Sequence, residues 1–317
     1  MNCLCCGKEI KETAKQEEKD FMWHFSCVKK FFGTKTLPII DLSDETLELL
    51  AEKTVENGYT VPGVQKKLSL HLTVGNTPRL TLVNYPTGYI LKPQTNEYSS
   101  LPESEYLIMK MAELTKIKTV PFALIKTNMG LAYITKRIDR NILEDSVEKY
   151  AMEDFCQLEN RLTEDKYKGS YERCAKVIDK YSTNPNLDKV DLFIRIIFSY
   201  VVGNSDMHLK NFSLISYDDK NYKLSDAYDM LPVNVIIPSD TEEFALTLNG
   251  KKKNITKNDI FEFAKNINLT EKVAKNILDK ITKLEKEYID MCDNSLLPNE
   301  MKENLKTLIH SRIKKIS

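Results

Sequence analysis

The stretch GNSDMHLKNF, residues 203–212, directly follows the apolar run DLFIRIIFSYVV, residues 191–202. The run reads as a buried helix, so it delivers the next segment to one fixed place beside the core. That segment is a polar turn starting at Gly203, with Asp206 and Asn211 bracketing His208 and Lys210. Irregular backbone between Asp206 and Asn211 can aim both side chains into one cleft. Charges crowded there without partners would be expensive to bury, so partners are expected elsewhere in the chain.

Two other regions offer them. YKLSDAYDML, residues 222–231, places Asp226 and Asp229 after the strand-like Tyr222 and Leu224. Upstream, YILKP (residues 89–93) carries Lys92 on a strand, and PESEY (residues 102–106) carries Glu105, or alternatively Glu103, on a helix. Each element alone has an ordinary reading: D-x4-N pairs often cap turns, and His208 could be a hydrogen-bonded turn histidine. Their order is more specific, because phosphoryl transfer needs these groups. Asp206 would orient the attacking hydroxyl and accept its proton. Asn211 would hold magnesium through a neutral oxygen, adding no repulsion against the phosphates. Asp226 or Asp229 would supply the second magnesium ligand, and Lys210 positive charge near the transferring group. Lys92 would meet the nucleotide phosphates, held in place by the glutamate.

Bulk composition is compatible with this. The chain has 317 residues, 42% hydrophobic and 29% charged, with 46 basic and 46 acidic side chains. That is enough for one large domain or two lobes, and it is neither disordered nor fibrous. Formal neutrality argues against a protein whose main task is coating nucleic acid. No apolar stretch reaches membrane-spanning length, and MNCLCCGKEI lacks the layout of a secretory signal. Seven cysteines, an odd number, do not suggest a disulfide framework, and a reducing cytoplasm is the expected location.

Four of the N-terminal ligand-type residues form two close pairs. Cys3 and Cys6 are spaced C-x2-C, and His24 and Cys27 are spaced H-x2-C. Such pairs let a turn point two ligands at one ion, and together they supply a tetrahedral structural zinc site. Cys5 is an alternative to Cys6. Gly7 suits the tight turn after the first pair, and Phe21, Trp23, Phe25, Phe31 and Phe32 provide an apolar cluster. Between the pairs, KETAKQEEKD (residues 11–20) reads as a solvated loop. A closed site of this kind holds a terminus together and leaves no position for substrate. Cys156, Cys174 and Cys292 lie in helical patterns and read as small buried hydrophobes.

The rest divides into a mixed region and a helical one. LSDETLELLAEKTVENG (residues 42–58) predicts a helix from an N-cap at Ser43 to a stop at Gly58. Strands come next in KKLSLHLTV, where Leu68, Leu70 and Leu72 share a face, then in RLTLVN and GYILKP. Residues 103–115 predict a helix, and residues 120–138 a hairpin turning at NMG. Beyond residue 140 helical patterns dominate: 146–162, 170–182 and 190–202, then, after the polar interruption 203–232, 256–267, 270–292 and 298–316.

The segments GYTVPGVQKKLSL, YILKP, LPESEY, ITKRIDR, YAMEDFCQL, KYKGSYE, GNSDMHLKNFSL and LSDAYDML together resemble the HipA family of bacterial serine/threonine kinases, toxin halves of toxin–antitoxin modules. The resemblance runs from about residue 43 to beyond 300, and the zinc-knuckle start is similar to that of some members. It implies an α+β, two-lobed protein-kinase-like fold: a knuckle over 1–35, a strand-rich N-lobe over 41–139 and a helical C-lobe over 140–317. The catalytic loop would be 203–213 and the metal-binding segment 224–232. It further implies ATP and magnesium as cofactors, Asp206 as base, Asn211 and Asp229 as magnesium ligands, and Lys92 as the phosphate-contacting lysine. Val64 and Gln65 of the loop TVPGVQKK, Lys136 and Arg137 of TKRID, and His208 are its other nucleotide-contacting positions. Family members autophosphorylate a serine just before that loop's glycine, and Thr60 stands at this position; here Pro62 also restricts the backbone. The implied substrate is a protein, in the family an aminoacyl-tRNA synthetase. The implied partners are a cognate antitoxin, through which any DNA contact would be indirect, and a separate small protein replacing the extra N-terminal domain of longer members, which this chain is expected to lack. A small-molecule kinase using the same phosphate machinery and an inactive nucleotide-binding module are the alternatives.

Overall fold

Alternation of apolar residues builds the first unit of the protein around one sheet. The computed structural model describes residues 1–40, 67–73, 78–82, 88–128, 130–142 and 147–317. These residues divide into Met1–Tyr106 with Val120–Val147, and Leu107–Thr119 with Glu148–Ser317. The predicted helix from Ser43 to Gly58, and Thr60, Val64 and Gln65, lie outside the described residues.

The sheet of the first unit contains β1 (Ile39–Ile40), β2 (Leu68–Thr73), β3 (Arg79–Leu82), β4 (Tyr89–Pro93), β5 (Phe122–Thr127) and β6 (Gly130–Lys136). Its order is β1-β3-β2-β4-β6-β5, antiparallel except for the β1–β3 pair. Leu91 stands opposite Leu68 on one side and Ile134 on the other, and all three are buried. Leu68 and Leu70 turn inward as the alternation requires, while Leu72 is half-buried toward the strand's end. The predicted hairpin is β5–β6, closed at Thr127 and Gly130, where φ of +106° favours glycine.

The N-terminal segment is part of this unit. Residues 11–20 are not all loop: Gln16–Phe21 forms α1, a short exposed helix with Glu17 and Glu18 in its first turn, where acidic side chains suit the helix dipole. After it, α2 (Phe25–Phe32) buries Val28, Phe31 and Phe32. Trp23, Phe31 and Phe32 pack mutually, and the last two reach Tyr89 of β4 at centroid distances of 5.9 and 5.3 Å. Phe21 departs from the expected cluster and is exposed. The segment also covers edge strand β5: Leu124 N–H donates to Leu4 O (2.9 Å), and Trp23 Nε1–H donates to Leu124 O (3.1 Å). An edge strand otherwise presents such groups unpaired. The knuckle therefore closes a sheet edge as well as holding the terminus together.

Helix α3 (Leu101–Leu114) begins in the first unit, and its last turns belong to the second. The short strand β7 (Arg140–Ile142) still belongs to the first unit, and the chain passes into the second for good within β8 (Val147–Lys149). Here the predicted helix over 146–162 is corrected. Residues Ala151–Asp154 form β9, paired antiparallel with β10 (Ser213–Ser216), which also pairs with β11 (Lys223–Leu224). The ladder with β10 overrides the helical periodicity, and only Phe155–Leu158 forms a helix, α4. Asp154 starts it with a capping box: its carboxylate accepts from Gln157 N–H, and Gln157 Oε1 accepts from Asp154 N–H.

The helices α5 (Tyr171–Tyr181) and α6 (Pro185–Val202) fill the centre of this unit. Pro185 at the first turn extends α6 five residues ahead of its predicted start. Around them lie α7 (Val233–Ile236), α8 (Lys257–Asn266), α9 (Glu271–Thr282), α10 (Glu285–Asp293) and α11 (Asn299–Ile316). The single helix expected over 270–292 is thus two. The break lets α10 turn Tyr288 fully inside, with its hydroxyl 2.6 Å from that of Thr115. Cys156, Cys174 and Cys292 are all buried, as expected. Among the described residues no helix is long and apolar enough to cross a membrane.

Candidate active site

The polar turn is anchored by the end of α6. Gly203 caps that helix at φ +75°, and Asn204 N–H donates to Ser199 O at 2.8 Å. His208 N–H then donates to Asp206 O, and Asn211 N–H to His208 O, with a 3-10 turn over Leu209–Asn211. The Asn211 side-chain amide donates to Asp206 O at 2.8 Å, which ties the two residues of the D-x4-N pattern together directly. Because the amide nitrogen is spent on this bond, the amide oxygen is the atom suited to a cation. The buried Asn211 is fixed, and Asp206 remains half-buried.

The Asp206 carboxylate accepts a hydrogen bond from Tyr167 Oη–H at 2.7 Å. Burial pushes the Tyr167 phenol well above its usual range, and the negative charges of Asp206, Asp229 and Asp240 push it further. Asp229 therefore shares the electrostatic surroundings of Asp206. It adopts φ of +61°, uncommon for a residue with a side chain. The two residues before it are anchored: Ala227 N–H donates to Lys118 O (2.7 Å), and Tyr228 Oη–H donates to Lys210 O (3.1 Å) and meets Ser213 Oγ (2.6 Å). Asp226, the other carboxylate of that stretch, belongs with Asp191 and Asp188 in the field around buried Arg195. His208 is buried, its ring edge-on to Tyr167 at 5.1 Å. Lys210 Nζ is ion-paired with Asp154 Oδ2 at 2.6 Å, so the residue that starts α4 also holds the lysine of the polar turn.

In the first unit, Lys92 of β4 and Glu105 of α3 form a buried ion pair at 2.6 Å, with side-chain exposures of 4% and 0%. Lys92 Nζ also lies 5.3 Å from the centroid of the Tyr133 ring. Glu105, not Glu103, is thus the partner, while burial raises the carboxyl of Glu103. At the end of β6, Lys136 is half-buried, and Arg137 makes a fork to Asp139 at 2.9 and 2.7 Å. Burial works against the Asp139 carboxylate, but Arg137 and Arg140 outweigh it and hold its pKa below the usual range.

The metal knuckle also assembles as expected, with Cys6 in preference to Cys5. The ligand atoms of Cys3, Cys6, His24 and Cys27 all lie within 4.8 Å of one another. His24 Nδ1 is 3.4 Å from Cys6 Sγ and 3.9 Å from Cys27 Sγ. Tetrahedral zinc with bonds of about 2.0 Å to nitrogen and 2.3 Å to sulfur requires a separation of about 3.5 Å, so the cradle fits. His24 Nε2 lies 3.2 Å from Glu9 O, the outer hydrogen bond that turns the Nδ1 lone pair toward a metal. Burial, and then the charges of Cys3, Cys5 and Cys6, push the Cys27 thiol up. A divalent cation relieves that repulsion.

Comparison with known proteins now identifies the class. A family profile described as "HipA-like C-terminal domain" matches residues 59–288. The chain belongs to this HipA-like family. A "Putative kinase" of Haemophilus influenzae is 26% identical over 262 residues, covering 74% of this chain and 76% of that protein. "Putative kinase Y4dM" of Sinorhizobium fredii is 29% identical over 232 residues, covering 68% of this chain and 55% of that protein. The chain thus spans about half of the Sinorhizobium relative. In three dimensions it resembles HipA of Shewanella oneidensis MR-1, solved with HipB and operator DNA, at a TM-score of 0.69 and 18% identity, over 98% of this chain and 73% of that one. It also resembles the Helicobacter pylori proinflammatory kinase CtkA, at a TM-score of 0.54 and 19% identity, over 75% and 90%. The protein has the HipA-like kinase architecture, with a strand-rich N-terminal region and a largely helical C-terminal one. The family match spans Lys92, Glu105, Asp206, Asn211 and Asp229, and leaves the knuckle and α11 outside.

Sequence reasoning assigned no role to Tyr167, Asp154 or the network behind the turn. In that network Arg312 of α11 donates to Tyr200 O and to Asn234 Oδ1, and Asn234 Nδ2 donates to Ser205 Oγ. KYKGSYE and YAMEDFCQL were conspicuous as motifs, but nothing in their spacing shows which residue of the turn they touch.

Proposed function

We propose that this chain is an ATP- and magnesium-dependent serine/threonine protein kinase of the toxin type. The observation that carries the reading is the hydrogen-bonded pair Asp206–Asn211, in the field shared with Asp229, within a chain of the HipA-like family. Magnesium, bound with ATP, would neutralise phosphate charge, with Asn211 and Asp229 as its ligands. The chain's own residues do the rest. Asp206 takes the proton of the acceptor hydroxyl as that oxygen bonds to the γ-phosphorus and the bond to ADP breaks. The buried Lys92, oriented by Glu105, contacts the nucleotide phosphates. Lys210, held by Asp154, keeps positive charge beside the base. Lys136, Arg137 and His208 are assigned to the nucleotide as well, along with Val64 and Gln65.

The acceptor is a protein involved in translation, an aminoacyl-tRNA synthetase in the first instance. Self-phosphorylation of Thr60 would add about two negative charges at that position and, on this reading, shut the enzyme down. The likeness to HipA in its complex with HipB and operator DNA supports a DNA-binding antitoxin partner, with DNA met only through it. A separate small N-domain-like protein is a further partner on this reading.

The test compares phosphoproteomes of cells expressing the wild type and Asp206→Asn, alongside intact-mass analysis of each purified chain after incubation with Mg-ATP. Wild type should phosphorylate a small set of proteins on serine or threonine and carry phosphate on Thr60. Asp206→Asn should do neither while still binding Mg-ATP. Undiminished phosphorylation by Asp206→Asn overturns the assignment of the base, and transfer only to metabolites overturns the protein-kinase reading.

A further inference from the structure

The segment from Lys166 to Tyr171 grips the catalytic loop at successive residues. Tyr167 Oη–H donates to Asp206 Oδ1 at 2.7 Å, Tyr171 Oη–H to Met207 O at 3.1 Å, and Leu209 N–H to Lys166 O at 3.1 Å. Tyr171 is fully buried, packed edge-on to Phe212 and Phe244, and serves the core. Tyr167 is different. It is 37% exposed, and its ring stands edge-on to His208, with Lys166 Nζ 4.9 Å from its centroid. The ring is thus braced on two sides while its hydroxyl meets the one carboxylate that matters for proton transfer.

An aspartate on a turn can rotate about its side-chain bonds, and a general base works only when its oxygen lies within hydrogen-bond reach of the proton it removes. A donor fixed from a second segment removes that freedom. The raised phenol pKa, caused by burial and then by Asp206, Asp229 and Asp240, keeps Tyr167 protonated and therefore a donor. Resting on the kinase reading above, we infer that Tyr167 is a positioning residue for phosphoryl transfer, holding the Asp206 carboxylate in the orientation from which it accepts the acceptor's proton. It contributes to the transfer step and not to nucleotide binding.

The test is Tyr167→Phe in the full chain, which keeps the ring and removes one hydroxyl. Transfer from radiolabelled Mg-ATP is followed into the chain itself and into casein as a general serine/threonine acceptor, with KM for Mg-ATP and the melting temperature measured in parallel. The expected result is a fall in kcat of about ten- to a hundredfold, the scale set by misorienting a reacting group. KM for Mg-ATP should stay within about twofold, as this hydroxyl is not assigned to nucleotide binding. The melting temperature should move by no more than about a few degrees, since one partly exposed hydrogen bond contributes little to stability. An unchanged kcat in an active background overturns the role of Tyr167 alone. A loss of kcat accompanied by equal losses of nucleotide affinity and stability overturns it too, since that pattern marks a structural role. A wild type that transfers no phosphate overturns both this role and the kinase reading beneath it.

Discussion

Replacing the Lys92–Glu105 pair one residue at a time, and then together, separates what the pair does for stability from what it does for function. The two side chains are almost fully removed from water and meet at 2.6 Å. Deleting either one takes this partner away from a charge buried in the first unit, which costs about 3–5 kcal/mol. The two single variants should not be equal. In Glu105→Leu the remaining ammonium keeps the Tyr133 ring 5.3 Å away, a contact worth about 1–2 kcal/mol when desolvated. In Lys92→Met the remaining carboxylate gains nothing from that ring face, so Lys92→Met should be the more damaging. The double variant Lys92→Met/Glu105→Leu removes both charges and should lie within about 1–2 kcal/mol of wild type, or above it. Trp23, the only tryptophan in the sequence, is buried in this same unit, so urea unfolding followed by its fluorescence reports the right transition. Activity should behave oppositely: all three variants lose phosphate transfer, the refolded double variant included. Additive destabilisation in the double variant would refute the pairing argument, and an active double variant would refute the assignment of Lys92 to the nucleotide.

Two further outcomes are expected from other parts of the molecule. The purified chain should carry one zinc ion by elemental analysis, and Cys27→Ser should lose it. The same variant should also unfold earlier by Trp23 fluorescence, since Trp23 Nε1–H is bonded to Leu124 O of edge strand β5. Loss of metal with an unmoved Trp23 transition would show that the knuckle does not support the sheet. Gly203→Ala should destabilise the second unit by about 1–3 kcal/mol, because φ is +75° and the new methyl group would stand 3.1–3.2 Å from the Leu308 methyl carbons. A neutral result in thermal unfolding would show that Leu308 yields and that the cap tolerates a side chain.

Local chemistry was readable from the sequence where short-range geometry decides the outcome. The C-x2-C and H-x2-C pairs each close within a single turn, so their joint cluster needed only the chain between them to fold back. The β5–β6 hairpin and the inward alternation of Leu68 and Leu70 are set by neighbours in sequence or on the facing strand. Residues 146–162 went wrong for the opposite reason. Their apolar spacing suits a helix, but Ala151–Asp154 is claimed by β10, about sixty residues away in the chain, and Asp154 is needed as the cap that starts α4. A helical pattern cannot announce a ladder with a strand it has not met. The split of 270–292 is a similar case, since it turns on Tyr288 reaching Thr115 across a wide sequence separation.

The candidate site shows the same division between what a motif states and what holds it in place. D-x4-N singled out Asp206 and Asn211 by their spacing in one polar turn, and the fold adds a bond the motif does not state, from the Asn211 amide to Asp206 O at 2.8 Å. It could not identify Tyr167, because a tyrosine is chemically ambiguous in a sequence: it fills cores, lies on surfaces or donates a proton, and only the position of its hydroxyl distinguishes these. Tyr167 and Tyr171 are separated by one helical turn's length in the same motif, KYKGSYE. Yet one donates to the carboxylate of the proposed base and the other to a backbone carbonyl deep in the core. Lys210 makes the converse point. Its place in the turn implied a positive charge aimed at phosphate, and its 2.6 Å bond to Asp154 means that any such charge acts from a fixed, partly neutralised position. On the kinase reading proposed above, a lysine so held stays in one place instead of swinging onto the nucleotide, and its contribution to transfer should depend on Asp154 as much as on itself.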